Sequence, residues 1–304
     1  MPKHKGRLAI VGLGAMGQSL GLALRARAPD VEVIGHDREP EAARAAQQRR
    51  AVHRTHWNLI STVEGASLVI LALPTDECLA TLEALKGDLS AGTVVTDTAP
   101  LKAPLARWAA SEMASDAHYV GGHPLARPAT PDGDALLGST YCLTPSPGAS
   151  PAAVNAVVGL VERIGAHPAF LDPGEHDSLM WALQGTPALA AAVALGRLCD
   201  GLSQADVGWL AEALPEETIR LARLGESFLG GIVSAADAEP GRRSLTDFLE
   251  DLKRLVDEIE GGAAAAAAAR LRQQRELWLA RPSHDDEPTH PGTNADWRRI
   301  LGLR

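Results

Sequence analysis

Short apolar runs separated by helical stretches fill the first half of the chain, a pattern that predicts a parallel sheet wound with helices on both faces. Leu8-Ala9-Ile10-Val11 opens the series. Val31 to His36, Ser67 to Leu73, Thr93 to Asp97, His118 to Gly122 and Tyr141 to Thr144 follow as strand candidates, with a helix over Pro40 to Gln48. Near Asp172 the pattern turns helical. Glu175 to Cys199, Gln204 to Leu224, Ser244 to Glu260 and Ala263 to Leu279 are the helices expected there. The alanine run from Ala263 to Ala269 reads as helix because alanine has the best helix propensity. The chain therefore divides into a Rossmann-type α/β domain over 1–171, an all-α domain over 172–280 and a mobile tail over 281–304, where Pro282, Pro288, Pro291 and Gly292 cluster.

The junction after the first strand carries the chemistry. Gly12, Gly14 and Gly17 form G-x-G-x-x-G between Leu8-Ala9-Ile10-Val11 and an apolar helix. The first glycine permits a tight turn, the second lets backbone approach a pyrophosphate, and the third lets the helix pack on the strand. The N–H groups and positive dipole end of that helix then face the phosphates. Gly12, Leu13, Gly14, Ala15, Met16 and Gly17 are thus the expected cofactor turn. The second strand candidate ends at Asp37, 25 residues after Gly12, where a carboxylate would bind the adenosine ribose hydroxyls. Asp37 favours NAD over NADP because it repels a 2′-phosphate, and Arg38 beside it partly offsets this. Ligands of such sheets sit at the carboxyl ends of the strands, so Leu73, Pro74, Thr75 and Asp97 join the expected cofactor cleft.

Composition narrows the class. The 304 residues are 45% hydrophobic and 22% charged, with a formal net charge of −9, which gives nucleic-acid binding no electrostatic support. A strand starting by Leu8 leaves no room for a signal peptide. No apolar run in the sequence reads as the roughly 20 residues a membrane span needs. Three widely separated cysteines, Cys78, Cys142 and Cys199, read as reduced core thiols. A cytoplasmic enzyme with a small-molecule substrate is the expectation.

Five segments in order resemble the prephenate and arogenate dehydrogenase family: VGLGAMGQSLGLAL, LALPT, GTVVTDTAPLK, VGGHPL with STYCLTP, and EHDSLMWALQGTP. The resemblance runs from Gly12 to about Pro187. It implies a Rossmann domain followed by a helical dimerisation domain and a homodimer. It also implies an NAD(P)-dependent oxidation, in which hydride leaves the hydroxyl-bearing carbon of a cyclohexadienyl substrate with loss of carbon dioxide and aromatisation. His123, in Gly121-Gly122-His123-Pro124, matches the family's catalytic histidine. An imidazole can take a hydrogen bond or proton from the substrate hydroxyl.

Departures from the family pattern fall at substrate positions. Pro100 stands where the loop after the fifth strand commonly has serine, and Gln184-Gly185-Thr186-Pro187-Ala188 replaces a segment with two histidines. A family arginine aligns weakly with Val233. Arg127, Arg242 and Arg243 are candidate replacement cations, and Gln184 and Thr186 candidate hydrogen-bonding groups. The alternatives are a less anionic substrate in the same cleft, or a dinucleotide-binding sensor without turnover. The β-hydroxyacid dehydrogenases share the two-domain plan, but their early helical lysine has no counterpart between Asp172 and Asp200.

Lys102 reads as a helix-start cation, and His176-Asp177 as capping of the helix they open. His53 and His56 have metal-like spacing but no completing ligand, so no metal site is expected. The His284, Asp285, Asp286, Glu287 and His290 group reads as solvated tail, and Cys142 as core.

Overall fold

The computed structural model describes residues 6–113, 116–126, 128–201, 215–232 and 235–280. Eight strands form one sheet in the order β3-β2-β1-β4-β5-β6-β7-β8. They are β1 (Gly6–Val11), β2 (Val31–His36), β3 (Arg54–Thr55), β4 (Leu68–Leu71), β5 (Val94–Asp97), β6 (His118–Pro124), β7 (Thr140–Pro145) and β8 (His167–Phe170). All neighbours run parallel except β6 and β7, which pair antiparallel with His123 opposite Cys142. The wholly parallel sheet expected from the sequence is therefore mixed at its far edge. β3 and β8 carry no apolar run, and neither was expected.

Period-two alternation sorts the central strands into two cores. Leu8, Ile10, Leu68 and Ile70 face one layer, with α1 (Ala15–Arg27) and α6 (Pro151–Arg163). Ala9, Val11, Val69 and Leu71 face the other, with α4 (Thr75–Leu85) and α5 (Ala103–Glu112). The helices α2 (Pro40–Gln48) and α3 (Leu59–Val63) complete this half. The strands are buried on both faces, which is why they read as continuous apolar runs.

In the helical half, Asp172 caps α7 (Pro173–Met180) by accepting the Gly174 N–H at 2.8 Å. A π-helical turn over Trp181–Gly185 joins α7 to α8 (Thr186–Gly201), and α9 (Glu216–Gly230), α10 (Ala235–Glu260) and α11 (Ala264–Leu279) follow. The π turn has a packing cause. The Trp181 ring lies so close to Gly185 that a Cβ there would fall 2.5 Å from it, and one on Gly241 would fall 2.6 Å away. Trp181 also meets Phe228 edge-on at 5.0 Å, in a small core with Leu101, Met180 and Leu189. The α10 helix begins upstream of the expected Ser244 and runs through Pro240.

Against the expectation of no membrane-length run, the continuous helix Pro173–Leu198 is long and apolar enough to cross a membrane, with a mean hydropathy of 1.4. Leucines, alanines and Val193 give that value, and Met180, Trp181, Ala188 and Leu189 on it are buried in the protein. Arg127, Val233, the start of the Gln204 to Leu224 helix and the 281–304 tail lie outside the described residues.

Candidate active site

Two of the turn glycines are required by contact. Gly12 has φ +92°, and a Cβ on it would sit 2.4 Å from the Ala72 carbonyl oxygen. A Cβ on Gly17 would lie 1.9 Å from the Gly12 carbonyl oxygen, so the helix can touch the turn only without one. Gly14 is exposed and faces open space. It caps α1 with no side-chain hydrogen bond, and no acid occupies the first turn. A positive helix end with an unhindered approach suits a pyrophosphate.

Asp37 fixes the turn from the next strand. Its Oδ2 accepts the Leu13 N–H at 2.7 Å and its Oδ1 the Glu39 N–H at 2.8 Å. A carboxylate has about four acceptor positions, so it keeps capacity for ribose hydroxyls. Arg38 is exposed and pairs with Glu77 of α4 at 3.1 Å, which ties its guanidinium to a carboxylate.

A cleft of about 200 Å³ lies beside this turn, lined by Met16, Ala72, Leu73, Pro74, Thr98, Pro100, His123, Pro124, Ala126, Leu224 and Ser227. The structure thus brings Met16, Leu73, Pro74 and His123 together. It does not bring in Thr75, which is fully buried against Gly231. Nor does it bring in Gln184 or Thr186. The Thr186 hydroxyl instead contacts that of Ser244 at 2.7 Å. Leu224 and Ser227 of α9 are lining residues that spacing along the chain could not place.

Asp97 is expected at the cofactor from its strand-end position, but its carboxylate is sealed behind the cleft wall with 0% exposure. It accepts the Ala99 N–H at 2.8 Å, the Tyr119 hydroxyl at 2.6 Å and the Gly122 N–H at 3.2 Å, and pairs with Lys102 Nζ. Lys102 Nζ also donates to the Gly122 carbonyl at 2.6 Å, so this buried ion pair grips the backbone beside His123. Burial, and then the Asp97 charge, push the Tyr119 pKa well up, which keeps its hydroxyl a donor. Lys102 does stand at the start of α5, but its ammonium is wholly buried. Asp97 and Lys102 are five residues apart, and only the close return of the chain after β5 makes them partners.

His123 is 3% exposed. Its Nδ1 lies 3.0 Å from His176 Nε2, and His176 Nδ1 lies 2.8 Å from Asp177 Oδ1. Asp177 does cap a helix, though not its own. It accepts the Lys102 N–H at 2.6 Å and the Ala103 N–H at 2.8 Å, at the start of α5. Capping of α7 belongs to Asp172. The sequence showed His176-Asp177 only as neighbours and could not reveal that they reach His123.

Elsewhere, His53 Nδ1 accepts the Val33 N–H at 2.9 Å, an edge-of-sheet role. Cys78 and Cys142 are buried free thiols, as a core role predicts, and burial raises the pKa of both.

Sheet order, glycine turn and cleft define a Rossmann-type nucleotide-binding protein. Residues 20–169 match the family model described as "Prephenate dehydrogenase, nucleotide-binding domain". The chain is 30% identical over 263 residues to "Probable prephenate dehydrogenase NovF" of Streptomyces niveus, covering 84% of this chain and 69% of that protein. It is 29% identical over 198 residues to the prephenate dehydrogenase of Bacillus subtilis (strain 168), matching 63% of this chain and 53% of that enzyme, about half its length. A 4-amino-4-deoxyprephenate dehydrogenase of Streptomyces pristinaespiralis is 28% identical, with 73% and 74% covered. The solved prephenate dehydrogenase from A. aeolicus, in complex with hydroxyphenyl propionate and NAD+, shares the fold, with a TM-score of 0.77 at 19% identity and 90% and 97% of the chains covered. This chain belongs to the prephenate dehydrogenase family.

Proposed function

We propose that the protein is an NAD-dependent dehydrogenase that oxidises and decarboxylates a cyclohexadienyl substrate such as prephenate or arogenate, in tyrosine biosynthesis. The observation that carries this reading is that His123 and the glycine-turn residue Met16 wall the same cleft. NAD supplies the hydride acceptor when bound. The backbone around Gly12 to Gly17 would hold its pyrophosphate, and Asp37 its ribose. His123 then accepts the proton of the substrate hydroxyl as that carbon becomes a carbonyl. Loss of the ring carboxyl as carbon dioxide makes the ring aromatic.

The likeness to a 4-amino-4-deoxyprephenate dehydrogenase raises a second substrate reading within the same chemistry. Pro100 lines the cleft where the family resemblance implies serine, and Ala188 and Gly185 are packed into the helical core. A substrate with an amine in place of the ring hydroxyl fits the likeness to the 4-amino-4-deoxyprephenate dehydrogenase. Arg127 remains a candidate carboxylate partner. The test is reduced-nicotinamide formation by the purified protein with NAD, offering prephenate, arogenate and 4-amino-4-deoxyprephenate in parallel. Turnover of one identifies the substrate. No turnover of any, in protein that still binds NAD, overturns the reading in favour of a less anionic substrate or a sensor.

The division of the chain near Asp172 and a homodimer formed through the helical half belong to the same proposal. Phe248, Leu249, Leu252, Val256 and Ile259 leave an exposed apolar stripe along α10 at helical spacing. Light scattering on the eluting protein at about twice the monomer mass supports it. A cytoplasmic location accords with the unpaired thiols Cys78 and Cys142.

A further inference from the structure

Beyond His123 itself, two buried side chains from the helical half end a hydrogen-bonded chain at its ring. His176 is 0% exposed and Asp177 3%. The rings of His123 and His176 meet at 75° with centroids 5.2 Å apart, so the contact is edge-on through nitrogens rather than stacked.

We infer that Asp177 and His176 are positioning residues that set the tautomer of His123, leaving its Nε2 as the basic nitrogen for the substrate. This role rests on the proposed dehydrogenase function, and the tautomer follows from the hydrogen count. Asp177 as a carboxylate only accepts, and it already takes the Lys102 and Ala103 N–H groups. The bond of 2.8 Å to His176 Nδ1 therefore needs the hydrogen on that nitrogen. A neutral imidazole with Nδ1–H has its lone pair on Nε2. That lone pair faces His123 Nδ1 at 3.0 Å, so Nδ1 of His123 must be the donor. The lone pair of His123 is then at Nε2, the nitrogen a base needs. When His123 takes a proton, its Nδ1–H bond to His176 becomes charge-assisted, and the Asp177 carboxylate stabilises the positive charge at the far end.

The chain crosses the molecule. His123 stands on β6, while His176 and Asp177 stand on α7. Asp177 also caps α5, immediately after the Asp97 to Lys102 loop. Docking of the helical half thus both braces the loop beside the cleft and sets the protonation pattern of the base.

The experiment is long-range ¹⁵N–¹H correlation of the histidine rings in the full chain at neutral pH, with steady-state kinetics on whichever substrate turns over. The expected spectrum shows His123 protonated at Nδ1 and bare at Nε2. A His123 protonated at Nε2 overturns the inference. His176→Phe keeps the ring volume and removes the acceptor. It should shift His123 toward the Nε2–H form and lower kcat about 100-fold with KM little changed. His176→Gln keeps an acceptor oxygen and should restore the Nδ1–H form and most of kcat. A His176→Phe protein with wild-type tautomer and kcat overturns the inference. If His176→Phe does not fold, the wild-type and His176→Gln spectra still decide. An inactive wild-type protein with the expected spectrum sinks the dehydrogenase reading and leaves the tautomer assignment standing.

Discussion

The Lys102 backbone N–H donates to Asp177 Oδ1 at 2.6 Å, and this bond joins the loop after β5 to the helical half. The same oxygen holds His176, so one carboxylate serves a helix start and the histidine pair together. Asp177→Ala removes the α5 cap and leaves His176 Nδ1 without its acceptor. Loss of a cap costs about 1–2 kcal/mol, and the unmatched buried imidazole adds to it. Urea unfolding should show a lower midpoint, and turnover should fall further than stability alone explains.

Lys102→Met should be the most damaging single change near the cleft. It leaves the Asp97 carboxylate buried with no cation, a situation that costs about 3–5 kcal/mol. Adding Asp97→Asn should recover part of the loss, because the buried charge is then gone. A double variant no more stable than Lys102→Met would show that the ion pair matters less than packing.

Gly14→Ala and Gly17→Ala should separate binding from folding. A Cβ on Gly14 meets open space at φ −67°, so the fold should keep its melting temperature. The methyl intrudes where the pyrophosphate would lie, so NAD affinity should fall at least about tenfold, or about 1.4 kcal/mol. Gly17→Ala drives a Cβ into the Gly12 carbonyl and should lower both stability and binding. Calorimetric NAD titration beside thermal melts reads the two effects.

Glu77→Gln should shift the cofactor preference. Glu77 pairs with Arg38 at 3.1 Å, and its removal leaves that guanidinium only the looser contact with Glu39 at 3.9 Å. Affinity for NADP should rise relative to NAD, since an arginine nearby accommodates a 2′-phosphate. An unchanged ratio would show that Asp37 alone sets the preference.

Acid stability has a visible contributor in Glu32. Burial disfavours its charge, but Arg54 and Arg7 outweigh this and lower its pKa below the ordinary value of 4.5. A carboxylate lowered in the folded state stabilises above its unfolded pKa, and that stability is lost as pH falls through the folded one. Glu32→Gln should therefore cost stability at neutral pH and flatten the acid limb of the stability curve below about pH 4.5. The effect should be small, because Arg54 is partly exposed.

Local rules made the glycine turn and the doubly buried strands readable along the chain, and the family resemblance singled out His123. A tight turn and a short apolar run are encoded within a few neighbours. The antiparallel β7, the Trp181 π turn and the upstream start of α10 were not, because long-range packing overrides local propensity there. Asp97 shows the same limit inside the site: its place at a strand end was readable, but its burial against Lys102 and Tyr119 was not. In the chain His123–His176–Asp177, the two histidines stand 53 positions apart. No spacing rule joins them; docking of a helix onto the end of the sheet does, by burying three polar groups that must then satisfy one another.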